Sequence, residues 1–265
     1  MSAPYAVDRD FIALVEQVFA DHASGLLADA PLDATDPEFG RQLDALGLAR
    51  LATPEADGGS GATWHEAAVV LRTAARHGIP VPAVEHDLLS GGGAGPGAGA
   101  GEARRLRGAL LRAIQLTGAM DVAVELALRH TRERVQFGRP LAAFQAVQQL
   151  VADAAAEAAL ARTATDAALA LAVTSGFTDA GLPVAVAVAR SVAGRAGSVV
   201  VRNVHQAHGA IGTTLEHPLH RVTMPILFWT NDFGTVAEWE DLLVTAARGA
   251  GGAGLWGLVS GTADR

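Results

Sequence analysis

The stretch RERVQFGRPLAAFQAVQQLVAD, Arg132 to Asp153, decides how the chain is read. It sets Arg134 three residues before Phe137-Gly138, follows the corner with Pro140, and then places Gln145, Gln148 and Gln149 at the head of an apolar-periodic run. Glycine relaxes φ and proline cannot continue a helix, so the corner divides two helices. Upstream, Glu102 to Arg132 reads as one long helix with Leu106, Ala109, Leu110, Ala113, Leu116 and Met120 on one face. Downstream, Val147, Leu150, Val151, Ala154, Ala158 and Ala161 form the stripe of a second.

Further along, TSGFTDAGLP turns the chain, and Pro183 suits the first turn of a third helix running to about His205. Its VAVAVA segment alternates like a strand, but the length of the apolar run favours a helix buried on nearly all sides. The loop GAIGTT leads to helical segments near Arg221–Phe233 and Thr235–Arg248. Long antiparallel helices joined by short loops predict a four-helix bundle over residues 102–250, followed by a flexible tail at 251–265. Before the bundle, Arg9–Leu27, Pro37–Leu51 and Trp64–His77 carry helical periodicity and make an N-terminal helical unit over residues 1–89. Between the two lies SGGGAGPGAGAG, residues 90–101, which has almost no side chain to bury and reads as a linker. The expected class is all-α, with no sheet of three or more strands.

Composition narrows the function. Half of the 265 residues are hydrophobic, enough for one large or two small cores. A net charge of −8 with no run of Lys or Arg disfavours nucleic acid as a partner. With no cysteine there are no disulfides, thiolate nucleophiles or Cys-ligated metals, and a reducing cytoplasmic setting is expected. The longest apolar stretch is interrupted by Arg190 and Arg195 short of the roughly 20 residues a membrane span needs, so no membrane is expected. His205 and His208, at i and i+3, have ligand spacing, but the sequence shows no neighbouring carboxylate or third histidine, and no metal is expected.

The Arg132–Asp153 stretch, followed some way on by HQAHGAIGTTLEHPLHR (residues 205–221), resembles the C-terminal bundle of the acyl-CoA dehydrogenase family. LGLARLATPEADGGSGAT (residues 46–63) and the helix after it resemble that family's N-terminal helical domain. The resemblance implies FAD, acyl-CoA substrates and a flavin lying across a subunit boundary. It gives Arg134 to the pyrophosphate, Gln136 and Phe137 to the cofactor lining, and Gln145, Gln206 and Gly209 to the adenine side. The chemistry suits those roles: a guanidinium is a planar fork of donors matched to phosphate oxygens, and amides satisfy both donors and acceptors of a purine edge.

Two departures accompany the resemblance. The family places a β-rich domain between the N-terminal helices and the bundle, and here the 90–101 segment stands in its place. The family's catalytic base is the second. Counting forward without gaps from the His205 motif puts Phe233-Gly234 at one position the base occupies, and counting back from Arg134 puts Gly108 at the other. Phenylalanine cannot take a proton. The nearest carboxylates are Asp232 and Glu102; Asp232 is one residue, about 100° of a helix, away. The resemblance therefore implies a subunit of a flavin-dependent acyl-CoA dehydrogenase, a homo-oligomer or a hetero-oligomer with a full-length subunit, which completes a neighbour's FAD site for an acyl-CoA thioester, the missing domain leaving room for a bulky one. Two alternatives stay open: a flavin-free enzyme using Asp232, His208 or His220, and a non-catalytic scaffold or regulatory subunit.

Overall fold

Caps and breakers mark most of the helix ends. In the computed structural model, which describes residues 7–25, 31, 34–91 and 100–260, helix α3 runs Trp64–His77. Thr63 and Glu66 close a capping box at its start, and Gly78 in the left-handed region ends it. Helix α1, Arg9–Ser24, begins at Asp8, whose carboxylate accepts from Asp10 N–H, and α2, Pro37–Ala45, begins at Asp36 in the same way. The sequence reading missed α4, Pro82–Ser90. Pro82 at its first turn was the available signal. Its buried Asp87 carboxylate accepts from Ala52 N–H (2.6 Å) and Thr53 Oγ1–H (2.5 Å), tying α4 to the loop before α3.

The bundle follows as α5 (Ala100–Glu133), α6 (Gln145–Ser175), α7 (Leu182–His208), α8 (Leu219–Trp229) and α9 (Val236–Ser260). Helix α7 is central and touches α5, α6, α8 and α9. Its alternating VAVAVA segment is helical, and its small side chains let neighbours approach on most sides: Val186, Ala187 and Ala189 are fully buried, as are Ala193 and Ala196 further along, and Val188 faces outward. The only strands among the described residues are the two-residue pair β1 (Val135–Gln136) and β2 (Arg139–Pro140), so the chain is helical and carries no β-domain there.

Two expected boundaries change. Ser90 belongs to α4 and Ala100-Gly101 to α5, so helix consumes both ends of the expected 90–101 linker, and residues 92–99 lie outside the described ones. The tail expected from 251 is helical to Ser260: Gly251 (φ 64°, ψ 177°) leaves helical geometry, and a second helical piece resumes directly after the kink; residues 261–265 lie outside the described ones. By length and composition α7 and α9 each suffice to cross a membrane. For α7 the apolarity is accounted for by burial in the core, whereas the apolar window of α9 has no buried residue.

One core runs through both halves of the chain. Phe19, Leu43, Leu71 and Leu88 of the N-terminal helices join Leu110, Ile114, Leu169, Val186 and Trp239 of the bundle. A second cluster, around Met120, Ala158, Val200 and Ile226, fills the other end.

Candidate functional site

The corner at Phe137-Gly138 is a β-hairpin. Val135 pairs with Pro140 and Gln136 with Arg139, leaving a two-residue loop. Both loop residues have positive φ (Phe137 53°, Gly138 82°), as a tight hairpin matched to strand twist requires. Glycine adopts this backbone freely; phenylalanine does so at a cost. Yet Phe137 is 91% exposed at the hairpin tip, its ring edge-on to Phe144 at 6.0 Å. Arg139 lies over the Phe144 ring at 4.1 Å.

Arg134 ends α5: its N–H donates to His130 C=O (2.8 Å) and its C=O accepts from Leu141 N–H (2.9 Å). Its side chain is exposed and makes no ion pair among the described residues. Gln136, Gln145 and Gln206 are exposed as well. Gly209 follows α7 with φ 65° and ψ −148°, a backbone open to glycine alone, and a Cβ there would meet nothing within 4 Å. Helix α6 opens at Gln145 with no side-chain cap.

These residues share one end of the bundle. Asn203 Nδ2 donates to Leu150 C=O (3.1 Å), holding the start of α6 against the end of α7. His130 stacks on His208 at 4.5 Å between ring centroids, holding the end of α5 there too, and His217 packs on His208 at 4.6 Å. Sequence spacing pointed to His205 with His208; in space His208 joins His130 and His217, one ring nitrogen from each of the three lying within 4.8 Å of the others, while His205 Nε2 is 3.0 Å from Thr223 Oγ1. The missing third histidine was hidden by separation along the chain.

The two positions reached by counting from the motifs come together. Phe233 sits with its ring on Gly108, where an added Cβ would fall inside contact distance of three ring carbons. Phe233 holds a positive φ of 60° just past α8. Its loop is gripped by Arg190, 1% exposed, whose Nη2 donates to the carbonyls of Trp229 (3.1 Å), Thr230 (2.8 Å) and Asp232 (2.9 Å). Burial lowers the Arg190 pKa to about 10, partly opposed by the nearby Asp232 carboxylate. Asp232 itself accepts from Arg112 Nε (2.9 Å), and Arg112 also donates to Glu85 (2.8 Å). Its carboxylate is directed at a guanidinium. Glu102 is paired with Arg105 at 3.7 Å. Next to Arg112 a cavity of about 550 Å³, lined by Ile79, Val81, Glu85, Phe228 and Trp229, opens between the N-terminal helices and α8.

Comparison with known proteins agrees with this architecture. Residues 104–235 match the model of the acyl-CoA dehydrogenase C-terminal domain. The chain belongs to the acyl-CoA dehydrogenase family. The acyl-CoA dehydrogenase IpdE2 of Mycobacterium tuberculosis is 35% identical over 117 residues, 42% of this chain and 32% of that protein. The chain's matches thus span about a third of the length of these curated relatives. In fold it is similar to a variant of the Tcur3481-Tcur3483 steroid acyl-CoA dehydrogenase, with a TM-score of 0.81 at 20% identity over 91% of this chain and 98% of that one. It is also similar to the ChsE4-ChsE5 complex from Mycobacterium tuberculosis, with a TM-score of 0.77 at 17% identity over 93% of this chain and 99% of that one.

Proposed function

We propose that this chain is the helical subunit of a hetero-oligomeric, flavin-dependent acyl-CoA dehydrogenase, in which a full-length partner supplies the β-domain and the catalytic base. The observation that carries this reading is the Phe233 ring seated on Gly108. Both positions at which the resemblance puts the α-proton acceptor meet at one point, and hydrocarbon fills it. Asp232, the nearest carboxylate on that loop, is engaged by Arg112.

The flavin-facing edge has the opposite character. An FAD diphosphate needs accessible cationic and N–H donors, and the chain offers exposed Arg134 beside an α6 N-terminus with no side-chain cap. Gly138 and Gly209 have open space where a side chain would stand, so backbone can approach a ligand there. Phe137, held at the hairpin tip in a costly backbone conformation and 91% exposed, is shaped to pack against something outside its own fold. Gln136, Gln145 and Gln206 are exposed amides for the adenosine end. When bound, the flavin accepts the hydride removed from the acyl thioester; this chain's part is to bind and orient the cofactor and shield its diphosphate.

The two-component proteins similar in fold support a two-subunit assembly, and the steroid acyl-CoA dehydrogenase among them supports a bulky thioester. The test is co-expression with a full-length acyl-CoA dehydrogenase from the same genome. The expected result is FAD retained by the mixed complex and not by this chain alone, with α,β-dehydrogenation by the mixture. Stoichiometric FAD on the isolated chain, or a mixed complex whose activity is unchanged when this chain is left out, would overturn the reading.

A further inference from the structure

The three histidines at the flavin-facing end have no role in the function proposed above. His208 is 5% exposed. Its Nδ1 lies 2.6 Å from Val204 C=O, and since a carbonyl only accepts, that nitrogen carries the proton. The lone pair is therefore on Nε2, which is buried and has no hydrogen-bond partner of good geometry among the described residues, the Leu126 backbone reaching the ring only at the margin of such a contact. An unpartnered buried acceptor is costly to maintain. Ring packing does not satisfy it: His130 stacks on His208 and His217 stands edge-on to it, with no hydrogen bond between any two of the rings among the described residues.

We infer that His130, His208 and His217 form a three-histidine site for a divalent transition-metal ion of the zinc class. Three neutral imidazoles are the donor set such ions prefer, and Mg²⁺ does not. Tetrahedral Zn–N bonds of about 2.0–2.1 Å put the nitrogens roughly 3.3 Å apart. The present spread, within 4.8 Å, closes by side-chain rotation, since His130 and His217 are only half-buried. The Val204 carbonyl fixes the His208 tautomer as ligand-orienting carbonyls do at metal centres. His217 Nδ1 now accepts from Leu219 N–H at a long 3.2 Å, a bond that ligation exchanges for one to the metal.

The ion would cross-link the end of α5, the end of α7 and the turn before α8, which carry Arg134 and Gly209. The fourth position of the tetrahedron is left to water.

Zn²⁺ titration of the untagged full chain by calorimetry tests this without flavin or a partner subunit, so its outcome is independent of the subunit assignment. Expected are a single equivalent bound, no binding of Mg²⁺, a raised Tm, and visible cobalt bands of a low-coordinate nitrogen site when Co²⁺ replaces Zn²⁺. His217→Ala and His130→Ala, at half-buried positions, should each weaken Zn²⁺ binding at least about 100-fold, because losing even an outer-shell partner costs 10–100-fold. His86→Ala, on α4, should leave it unchanged. Substoichiometric binding to the parent chain, or full affinity in folded His130→Ala and His217→Ala, overturns the site.

Discussion

Gly108 and Phe233 are far apart in sequence and touch in the fold, and each accounts for the other. Without a Cβ at 108 the ring has room; with one it must move. Gly108→Ala should therefore destabilise the chain by about 1–3 kcal/mol, the usual cost of overpacking, despite alanine's better helix propensity. In a thermal-melt double-mutant cycle, Phe233→Ala should remove most of that penalty, giving strong coupling between the two sites. Phe233→Ala should also leave turnover of the mixed complex in place, because no proton transfer is assigned to it. Arg134 predicts the reverse pattern. Exposed and unpaired, it should tolerate Arg134→Ala within about 0.5 kcal/mol of stability. In the mixed complex the same change should cost roughly 30- to 1000-fold in FAD affinity, about 2–4 kcal/mol, and Arg134→Lys should restore only part. Motif counting reached positions 108 and 233 from sequence. Their contact was not legible, because it depends on how α5 meets the loop after α8.

At the scale of elements, legibility followed capping. Helix α3 was read to its ends because Thr63 and Gly78 punctuate it. Helix α4 is nine residues long and flanked by Pro80 and Gly91, too short for periodicity to stand out. Glycines stand at 249, 251, 252 and 254, around the start of the expected flexible tail, yet only Gly251 leaves helical geometry. The hairpin is too short for alternation. The histidine cluster joins two helices and a turn, so no local spacing announces it, and it makes a prediction of its own. The folded pKa values of His130, His208 and His217 lie below the 6.5 of an unperturbed histidine. The unfolded chain therefore binds more protons once pH falls below 6.5. The stability in question is fully present above 6.5 and is lost as pH drops from there toward the folded values. Metal-free protein should melt at progressively lower temperature below pH 6.5, and His217→Gln should flatten that slope. An unchanged slope would mean that other groups govern acid sensitivity.

For the molecule as a whole, the sequence suggested one large or two small cores, and the principal core draws on both the N-terminal helices and the bundle. Central burial of α7 within its own chain leaves little of it for a neighbour to cover. Besides the Phe137 hairpin, exposed apolar side chains gather on α8 and α9, where Leu227 and Phe228, and Trp256 and Val259, are 47%, 61%, 76% and 70% exposed. Light scattering should find an assembly larger than one chain, and Phe228→Glu or Trp256→Glu should shift it toward the monomer. Which subunit covers these faces is not written in the residues, since apolar surface specifies burial and not the identity of what buries it.

The shared core also bears on covalent continuity. Leu71 and Leu88 on one side of residues 92–99 contribute to the same cluster as Leu110 and Ile114 on the other. The shared core holds the two sides together in addition to the effective concentration that the peptide connection supplies. Residues 1–91 and 100–265, produced as two polypeptides, should reassemble by complementation into one cooperatively melting particle. By the same logic, an independently folding module inserted between Gly91 and Ala100 should leave the helical frame intact, as circular dichroism and the melting of the frame would report.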